Sequence, residues 1–266
     1  FLGGAAGTVL GSALGFPSSF VVLGAPGLGV AALLLTVRLG SESAAPSVAE
    51  QRPSAQFGAV HSKSIVGLLS IRTYRWTLIG ALLMAFAAGA YLAWFFDFLQ
   101  SGKGASEAEA MQIFGVSLLT GLAGVLFGGA LGDRLMKRVA FGRQAAVALG
   151  MGVSVPLAIA VIYMPLGWPF YFCSWLLMFT ISWYHGPLAA SVDDLVPAER
   201  AGLAQGLYIA AMHLCGTAPA AYVVGLVAEE TGLKTALLIP TAAMLLAALA
   251  FVASFRGVTK DLMVKE

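Results

Sequence analysis

Long apolar stretches alternate with short charged loops along the whole chain. A bilayer core of about 30 Å needs roughly 20 helical residues to cross it. Seven stretches and most of an eighth satisfy this condition, and they cover residues 1–15, 20–37, 76–99, 108–131, 143–164, 168–192, 203–228 and 233–255. The pattern therefore predicts an all-α polytopic membrane protein with about eight transmembrane helices.

The composition favours the same class of protein. Hydrophobic residues make up 59% of the 266 positions, charged residues make up 11%, and the mean hydropathy is +0.87, whereas a typical soluble domain carries about 25% charged residues. A net charge of +2 with dispersed basic residues argues against a nucleic-acid partner. Cys173 and Cys215 fall inside predicted spans, so we expect two buried apolar residues and no disulfide framework.

The basic residues are distributed unevenly between the two sides of the predicted membrane. Thirteen of the fifteen Lys and Arg residues fall in alternate loops and the C-terminal tail, and only Lys103 and Lys234 fall on the other side. The positive-inside rule then predicts a protein of the cell membrane with a cytoplasmic C-terminus. Because residue 1 already lies in an apolar stretch, we interpret the chain as the C-terminal part of a longer protein.

One long connection divides the predicted spans into two blocks. Residues 1–37 form two helices, 38–75 form a cytoplasmic linker, and 76–266 form a six-helix bundle with a short tail. Within the linker, apolar residues recur at helical spacing over 57–71, which predicts an amphipathic helix lying at the membrane surface.

Two of the predicted spans carry glycine at every fourth position. A face without side chains lets another helix approach closely in lipid. The alternative is that apolar spans are generally rich in glycine, which occurs 32 times here; the strict register favours a packing face. The glycines are Gly3, Gly7, Gly11 and Gly15 in the first span, and Gly124, Gly128 and Gly132 in the fourth.

Three segments resemble the major facilitator superfamily. Residues 128–138 read GGALGDRLMKR and resemble its signature loop, G-x-L-[AG]-D-R-x-x-[KR]-[KR]. Residues 195–202 resemble the segment before its eleventh span, and 22–28 resemble its sixth span. The resemblance implies a twelve-span carrier in two six-helix halves, of which this chain holds spans five to twelve. Three further details, at 186–187, Gly216 and 232–237, are similar to spinster-type carriers.

The signature loop suggests a conformational latch at the cytoplasmic ends of the helices. A carboxylate at the membrane boundary needs a cation or a helix N-terminus, so we expect Asp133 to pair with Arg134 or Arg200, or to cap the seventh span. Arg143 is expected only to anchor the topology. In the superfamily such a loop holds neighbouring helices together and opens as the carrier turns inward. The predicted latch residues are Gly129, Gly132, Asp133, Arg134, Arg138 and Arg200.

Ionisable and aromatic residues inside the spans are the candidates for a solute or proton pathway. Asp97 is either a proton or cation site or a residue that reaches headgroup water. A membrane histidine is more often a hydrogen-bonding residue between helices than a proton relay, and its ordinary pKa keeps the relay reading open. Glu229 ends the seventh span and is expected to be solvated. The candidates are Tyr91, Trp94, Asp97, His185 and His213.

The resemblance also implies the function. It implies a secondary transporter that moves a small organic or amphipathic solute across a lipid bilayer by alternating access between two bundles, coupled to an ion that could be H⁺. It further implies two inverted three-helix repeats in the six-helix block, and a meeting of the glycine faces of the first and fourth spans. No spacing typical of a metal site, nucleotide loop or cofactor occurs. The alternatives are a non-transporting scaffold or degenerate fragment, and an integral-membrane enzyme.

Overall fold

The computed structural model describes residues 65–263 and seven positions before them: 15, 18, 21, 22, 24, 25 and 29. Most of the first two predicted spans and most of the linker therefore lie outside the described residues. The chain divides into two compact units, Phe1–Phe57 and Gly58–Glu266. Every helix named below belongs to the second unit.

The third to eighth predicted spans are all helical, and residues 65–263 contain no strand. The fourth and fifth spans are single α-helices, Glu107–Met136 and Gly142–Tyr163. The other four spans are divided into shorter elements. The third consists of Arg72–Asp97 and a π-helical segment, Phe98–Gly102, and the eighth consists of Leu233–Ala236 and Leu238–Met263.

The sixth and seventh spans each have a short irregular segment between two α-helices. The sixth consists of Trp168–Ile181, a 3₁₀ turn at Ser182–Tyr184, and His185–Asp194. The seventh consists of Ala198–Ala211, a π-helical segment at Met212–Thr217, and Ala218–Thr231.

Five helices in the described part are long and apolar enough to cross a membrane. The sixth span is broken by its 3₁₀ turn, which divides it into two shorter helices. The prediction of an all-α polytopic membrane fold is confirmed.

Local sequence explains where two of these helices begin and end. The Ser106 hydroxyl caps the fourth span by accepting a hydrogen bond from the Glu109 amide at 3.3 Å, and Glu107 adds a favourable negative charge to the first turn. Gly232 has a φ of +80°, a conformation that only glycine adopts without strain. It ends the seventh span and lets the eighth begin at the next residue.

The helices of the second unit pack in a repeated pattern. The third span packs on the seventh and eighth, the sixth packs on the fourth and fifth, and the fifth also packs on the eighth. If the third, fourth and fifth spans are exchanged with the sixth, seventh and eighth, four of these contacts change into one another, and the contact of the fifth with the eighth is unchanged. This is the arrangement expected for two inverted three-helix repeats.

Hydrogen bonds between side chains join neighbouring helices inside this unit. The hydroxyls of Ser154 and Thr180 lie 2.8 Å apart between the fifth and sixth spans. Nearer one end of the same two spans, the Gln144 side-chain amide donates to the Ser191 hydroxyl at 2.7 Å. All four side chains are buried, so these bonds satisfy polar groups that would otherwise be costly in an apolar surrounding.

The glycine face of the fourth span lies against the sixth span. A Cβ on Gly124 would come within 2.9 Å of the Phe179 carbonyl carbon, and one on Gly128 within 2.6 Å of the Trp183 carbonyl carbon. Gly132 continues this face and is also buried. The predicted close-packing role of these three glycines therefore has a definite partner, which is the backbone of the sixth span.

The sixth span fills this face at Gly124 and Gly128, and the predicted meeting with the first span concerns residues outside the described part of the chain. The glycines remove side chains that would keep two helices of the same bundle apart. Gly3, Gly7 and Gly11 lie outside the described residues. Gly15 has a φ of +79°, so it does not continue a helical stripe.

The part of the linker before the third span packs onto the bundle. Residues 65–70 are helical, and Leu68 is fully buried in the hydrophobic core, with Leu69 and Ile71 packed against that core. A Cβ on Gly67 would lie 3.3 Å from a guanidinium nitrogen of Arg200 at the start of the seventh span. The predicted amphipathic helix thus has its apolar face on protein over these residues.

Candidate functional site

Arg143 joins the ends of three helices. It lies in the first turn of the fifth span, and its guanidinium binds a carboxylate from each of two neighbouring spans. Nη2 is 3.6 Å from Oδ1 of Asp133 at the end of the fourth span, and Nη1 contacts Oδ2 of Asp194 at the end of the sixth span directly. Nη1 also lies 3.5 Å from the Ala190 carbonyl oxygen. The planar fork of arginine suits this bridging of two anions.

The two ion pairs differ in how far they are shielded from solvent. The side chains of Arg143, Asp133 and Asp194 are 21%, 70% and 37% exposed. An exposed pair at 3.6 Å contributes about 0–1 kcal/mol, so Asp133 is the weaker partner. The Arg143–Asp194 contact carries most of the attraction.

The expected partner of Asp133 is therefore corrected from Arg134 or Arg200 to Arg143. Consecutive residues of a helix point about 100° apart, so Arg134 cannot turn back onto Asp133, and its side chain is exposed. Arg200 lies instead against Gly67. Arg143 was expected only to anchor the topology, but the turn before the fifth span brings it to Asp133.

Small residues let the fourth and sixth spans approach at this end. A Cβ on Gly132 would lie 3.0 Å from Cγ of Pro187, and one on Gly186 would lie 3.2 Å from Cα of Gly129. Gly132 and Gly186 thus let the two carboxylate-bearing helix ends approach, whereas a Cβ on Gly129, also predicted to permit a tight helix exit, would meet nothing within 4 Å. Arg138 is exposed and forms no ion pair within the described residues.

Tyr91 and Trp94 are packing residues within the bundle. Tyr91 is fully buried, and its hydroxyl lies 2.9 Å from the hydroxyl of Thr241 on the eighth span. The Trp94 indole nitrogen donates to the Ala221 carbonyl of the seventh span at 2.8 Å. Tyr91 therefore packs inside the bundle, whereas Trp94 is half-buried, and the place of these residues on a solute pathway stays a prediction.

The three ionisable candidates are exposed and lie in three different spans, the third, sixth and seventh. Asp97 ends the α-helical part of the third span, and its carbonyl accepts from the Ser101 hydroxyl at 2.7 Å. The His185 ring stacks on Tyr184 with centroids 3.9 Å apart. His213 lies in the π-helical segment of the seventh span. None joins a group of His, Cys, Asp or Glu that could hold a metal among the described residues.

The expected burial of the two cysteines is also corrected. Cys173 is half-buried and Cys215 is exposed. Cys215 lies in the same π-helical segment as His213, whose wider turn places both residues on the uncovered side of the seventh span. Apolar context in the sequence predicts a membrane span, but it does not distinguish a face that packs on protein from one that does not.

Lys103 is a connecting residue that the sequence reasoning missed. It follows the third span, and its Nζ donates to the carbonyls of Ile162 and Met164 at 3.0 and 2.6 Å. The same atom lies 5.2 Å from the ring centroids of Phe98 and Phe170. A cation at a helix C-terminus is favourable. Burial, and then the charge of Lys234, lower the pKa of the Lys103 amine from its ordinary value.

The family model of the Major Facilitator Superfamily matches residues 1–219. The chain belongs to this superfamily. The predicted resemblance of the sequence to the superfamily is therefore confirmed, and the fold it implied agrees with the helices described above.

Proteins of the spinster type are among those to which the chain is similar. Protein spinster homolog 3 of Danio rerio is 27% identical in an alignment of 187 residues that covers 64% of this chain and 37% of that protein. A bacterial homolog to the human lysosomal transporter Spinster has a similar fold in two crystal structures, both with 18% identity. Its inward-facing, unoccupied form gives a TM-score of 0.67 over 98% of this chain and 66% of that chain. Its inward-facing, occupied form gives 0.61 over 97% and 64%.

Proposed function

We propose that this chain forms part of a secondary transporter that moves a small organic or amphipathic solute across a membrane by alternating access. The superfamily match over residues 1–219 carries this proposal. The chain spans 37% of the length of the curated spinster relative, so the transporting unit includes more than the six helices described here. The spinster likeness favours a lipid-like or amphipathic organic anion as the solute.

The latch in this proposal is centred on Arg143. It links the ends of the fourth, fifth and sixth spans through Asp133 and Asp194, and its removal would leave two carboxylates close together without a cation. The skew of Lys and Arg towards this side supports a cytoplasmic position. The contacts hold the cytoplasmic ends together in one state and separate in the other.

Proton coupling would require a titratable group on an uncovered face within the membrane. His213 is the best placed candidate, because it is exposed in the middle of the seventh span, and His185 and Asp97 are the other two. Protonation of such a group would change the balance between the inward- and outward-facing states.

Uptake into proteoliposomes tests the proposal. The full-length protein would be offered a radiolabelled fatty acid and a radiolabelled sugar acid, each with and without an imposed pH gradient. We expect saturable uptake of the amphipathic anion, accelerated by the gradient in the wild type and insensitive to it in His213→Gln. If uptake by His213→Gln still responds to the pH gradient, the same measurement on His185→Gln and Asp97→Asn identifies which of these two residues couples transport to protons.

Two results would contradict the proposal. Absence of saturable uptake for every probe, from protein that is folded and inserted, would favour a non-transporting scaffold. Uptake that occurs equally in empty liposomes would show that the probe crosses the lipid by itself. An Arg143→Ala variant with wild-type uptake would remove the latch from the mechanism and leave transport in place.

A further inference from the structure

The seventh span is built on a four-residue repeat. Its fully or nearly buried residues are Ala204, Tyr208, Met212, Gly216, Ala220 and Val224. Four residues exceed one α-helical turn by about 40°. Over the five steps from Ala204 to Val224 the excess reaches about 200°, which would place the two ends of a regular α-helix on opposite faces.

The π-helical segment Met212–Thr217 compensates for much of this rotation. A π turn takes up one more residue than an α turn, which corresponds to about 100° of rotation. The Ala218 amide donates to the His213 carbonyl, five residues earlier. This wide turn keeps both halves of the buried stripe facing the third span.

Pro219 provides a local reason for the wide turn. Proline has no amide hydrogen, and inside a helix its ring clashes with the carbonyl four residues earlier, which here belongs to Cys215. The Thr217 hydroxyl lies 3.5 Å from the Met212 carbonyl and supports the widened turn. The sequence thus contains a signal for the π segment, placed immediately after it.

The third span holds the seventh on both sides of this segment. The Tyr74 hydroxyl donates to the Ala204 carbonyl at 2.9 Å, and the Trp94 indole donates to the Ala221 carbonyl at 2.8 Å. With both ends held, any change in helical register must be absorbed between them. His213 lies in that interval.

The π segment itself touches the third span through two glycines. A Cβ on Gly216 would lie 2.8 Å from the Leu82 carbonyl oxygen and 3.2 Å from the Phe86 amide nitrogen. A Cβ on Gly89 would lie 3.2 Å from Cα of Thr217. At Gly216 a backbone atom of the third span occupies the space of a side chain, and at Gly89 the methyl group of Thr217, at 2.9 Å, occupies most of it.

We infer that Gly216 and Gly89 are positioning residues for His213: they hold the π segment against the third span and so keep His213 on the uncovered face. This inference rests on the proposed function for the role of His213 in transport. The geometry that it describes can be measured without transport.

The experiment labels a cysteine at position 213 with a membrane-impermeant maleimide. His213→Cys is introduced into a cysteine-free background of the full-length protein, alone and together with Gly216→Ala, Gly89→Ala or Pro219→Ala. Gly206→Ala is the matched control, because Gly206 lies in the same span with nothing within 4 Å of an added Cβ. We expect at least about a tenfold change in labelling rate, since loss of the extra residue in the turn rotates position 213 by up to about 100°.

A changed rate in the Gly216→Ala and Gly89→Ala proteins, with a wild-type rate in the Gly206→Ala protein, supports the inference. Pro219→Ala restores the missing amide hydrogen and should change the labelling rate in the same direction. If the glycine variants do not insert into the membrane, the labelling rate of Pro219→Ala tests the inference in their place. Wild-type labelling in all inserted variants, or an equal change in the control, overturns it.

A parallel uptake measurement separates this inference from the proposed function. In proteins that retain His213, the pH profile of uptake should shift in Gly216→Ala and stay unchanged in Gly206→Ala. If labelling changes while no protein shows uptake, the positioning stands and the transport proposal fails. If the pH profile shifts while labelling at position 213 stays constant, the positioning inference is wrong.

Discussion

The Gly128 backbone lies directly against the Trp183 backbone, so closely that a Cβ on Gly128 would come within 2.6 Å of the Trp183 carbonyl carbon. Trp183 is the middle residue of the 3₁₀ turn that divides the sixth span. Even the smallest side chain at position 128 must therefore displace backbone atoms, which is more costly than displacing the end of a flexible side chain.

Substitution of Gly128 by alanine should destabilise the protein. Overpacking of a tight site costs about 1–3 kcal/mol, so we expect the thermal midpoint of the detergent-solubilised protein to fall by several degrees. Gly115→Ala is the control, because it lies in the same helix with nothing within 4 Å of an added Cβ. Equal thermal midpoints for the two variants would contradict this prediction, because they would show that the backbone of the sixth span can move away from position 128 without loss of stability.

Removal of Arg143 should change the balance between conformations more than removal of Asp133. Arg143→Ala breaks both ion pairs, whereas Asp133→Asn breaks only the longer and more exposed one. We expect a shift of about fivefold towards the inward-facing state for Arg143→Ala, corresponding to about 1 kcal/mol. Cysteine-accessibility labelling on both faces measures this ratio. Lys137→Ala, an exposed cation of the same loop, should behave as wild type; a larger effect of Asp133→Asn than of Arg143→Ala would contradict this assignment.

Loss of the Tyr91 hydroxyl should affect stability and leave solute affinity unchanged. Tyr91→Phe removes the buried contact with Thr241, whose hydroxyl keeps its bond to the Leu237 carbonyl, so the expected cost is about 1 kcal/mol. Tyr222→Phe is the control, because Tyr222 is 69% exposed. A changed apparent KM for uptake with an unchanged thermal midpoint would place Tyr91 on the solute pathway.

Lys103→Met should destabilise the protein by about 1–3 kcal/mol, because two hydrogen bonds from a charged donor are lost. The wild type should also show a pH dependence that the variant lacks. The pKa of Lys103 is lowered in the folded protein, so the unfolded chain binds more protons between that pKa and about 10.4. Stability therefore rises with pH through this window. Thermal midpoints measured from pH 8 upwards test the sign, and a wild-type curve parallel to the variant's would contradict it.

The membrane fold could be predicted from the sequence because an apolar segment long enough to span a bilayer is a local property. The need of Asp133 for a cation was equally visible, since a carboxylate at a membrane boundary is costly alone. The identity of its partner could not be predicted. Arg134 is the nearest cation in sequence, whereas Arg143 comes close to Asp133 only after the turn into the fifth span has formed.

The side of a helix that faces protein was harder to predict than the helix itself. In a membrane protein, core and lipid faces are both apolar, so the spacing of Tyr91 and Trp94 did not show which neighbour they face. The π segment of the seventh span was missed although Pro219 and the four-residue repeat from Ala204 to Val224 were both present in the sequence. A periodicity of four in place of 3.6 was the available signal.

The two pseudo-equivalent close contacts, fourth with sixth and third with seventh, deform their helices in opposite senses. A 3₁₀ turn rises about 2.0 Å per residue against 1.5 Å for an α-helix, so the sixth span is locally stretched at Ser182–Tyr184. The π segment Met212–Thr217 gathers an extra residue into its turn, so the seventh span holds spare length. Return of both to regular α geometry would shorten one span and lengthen the other. Two consecutive spans of one repeat, the sixth and the seventh, therefore depart from α-helical length in opposite directions.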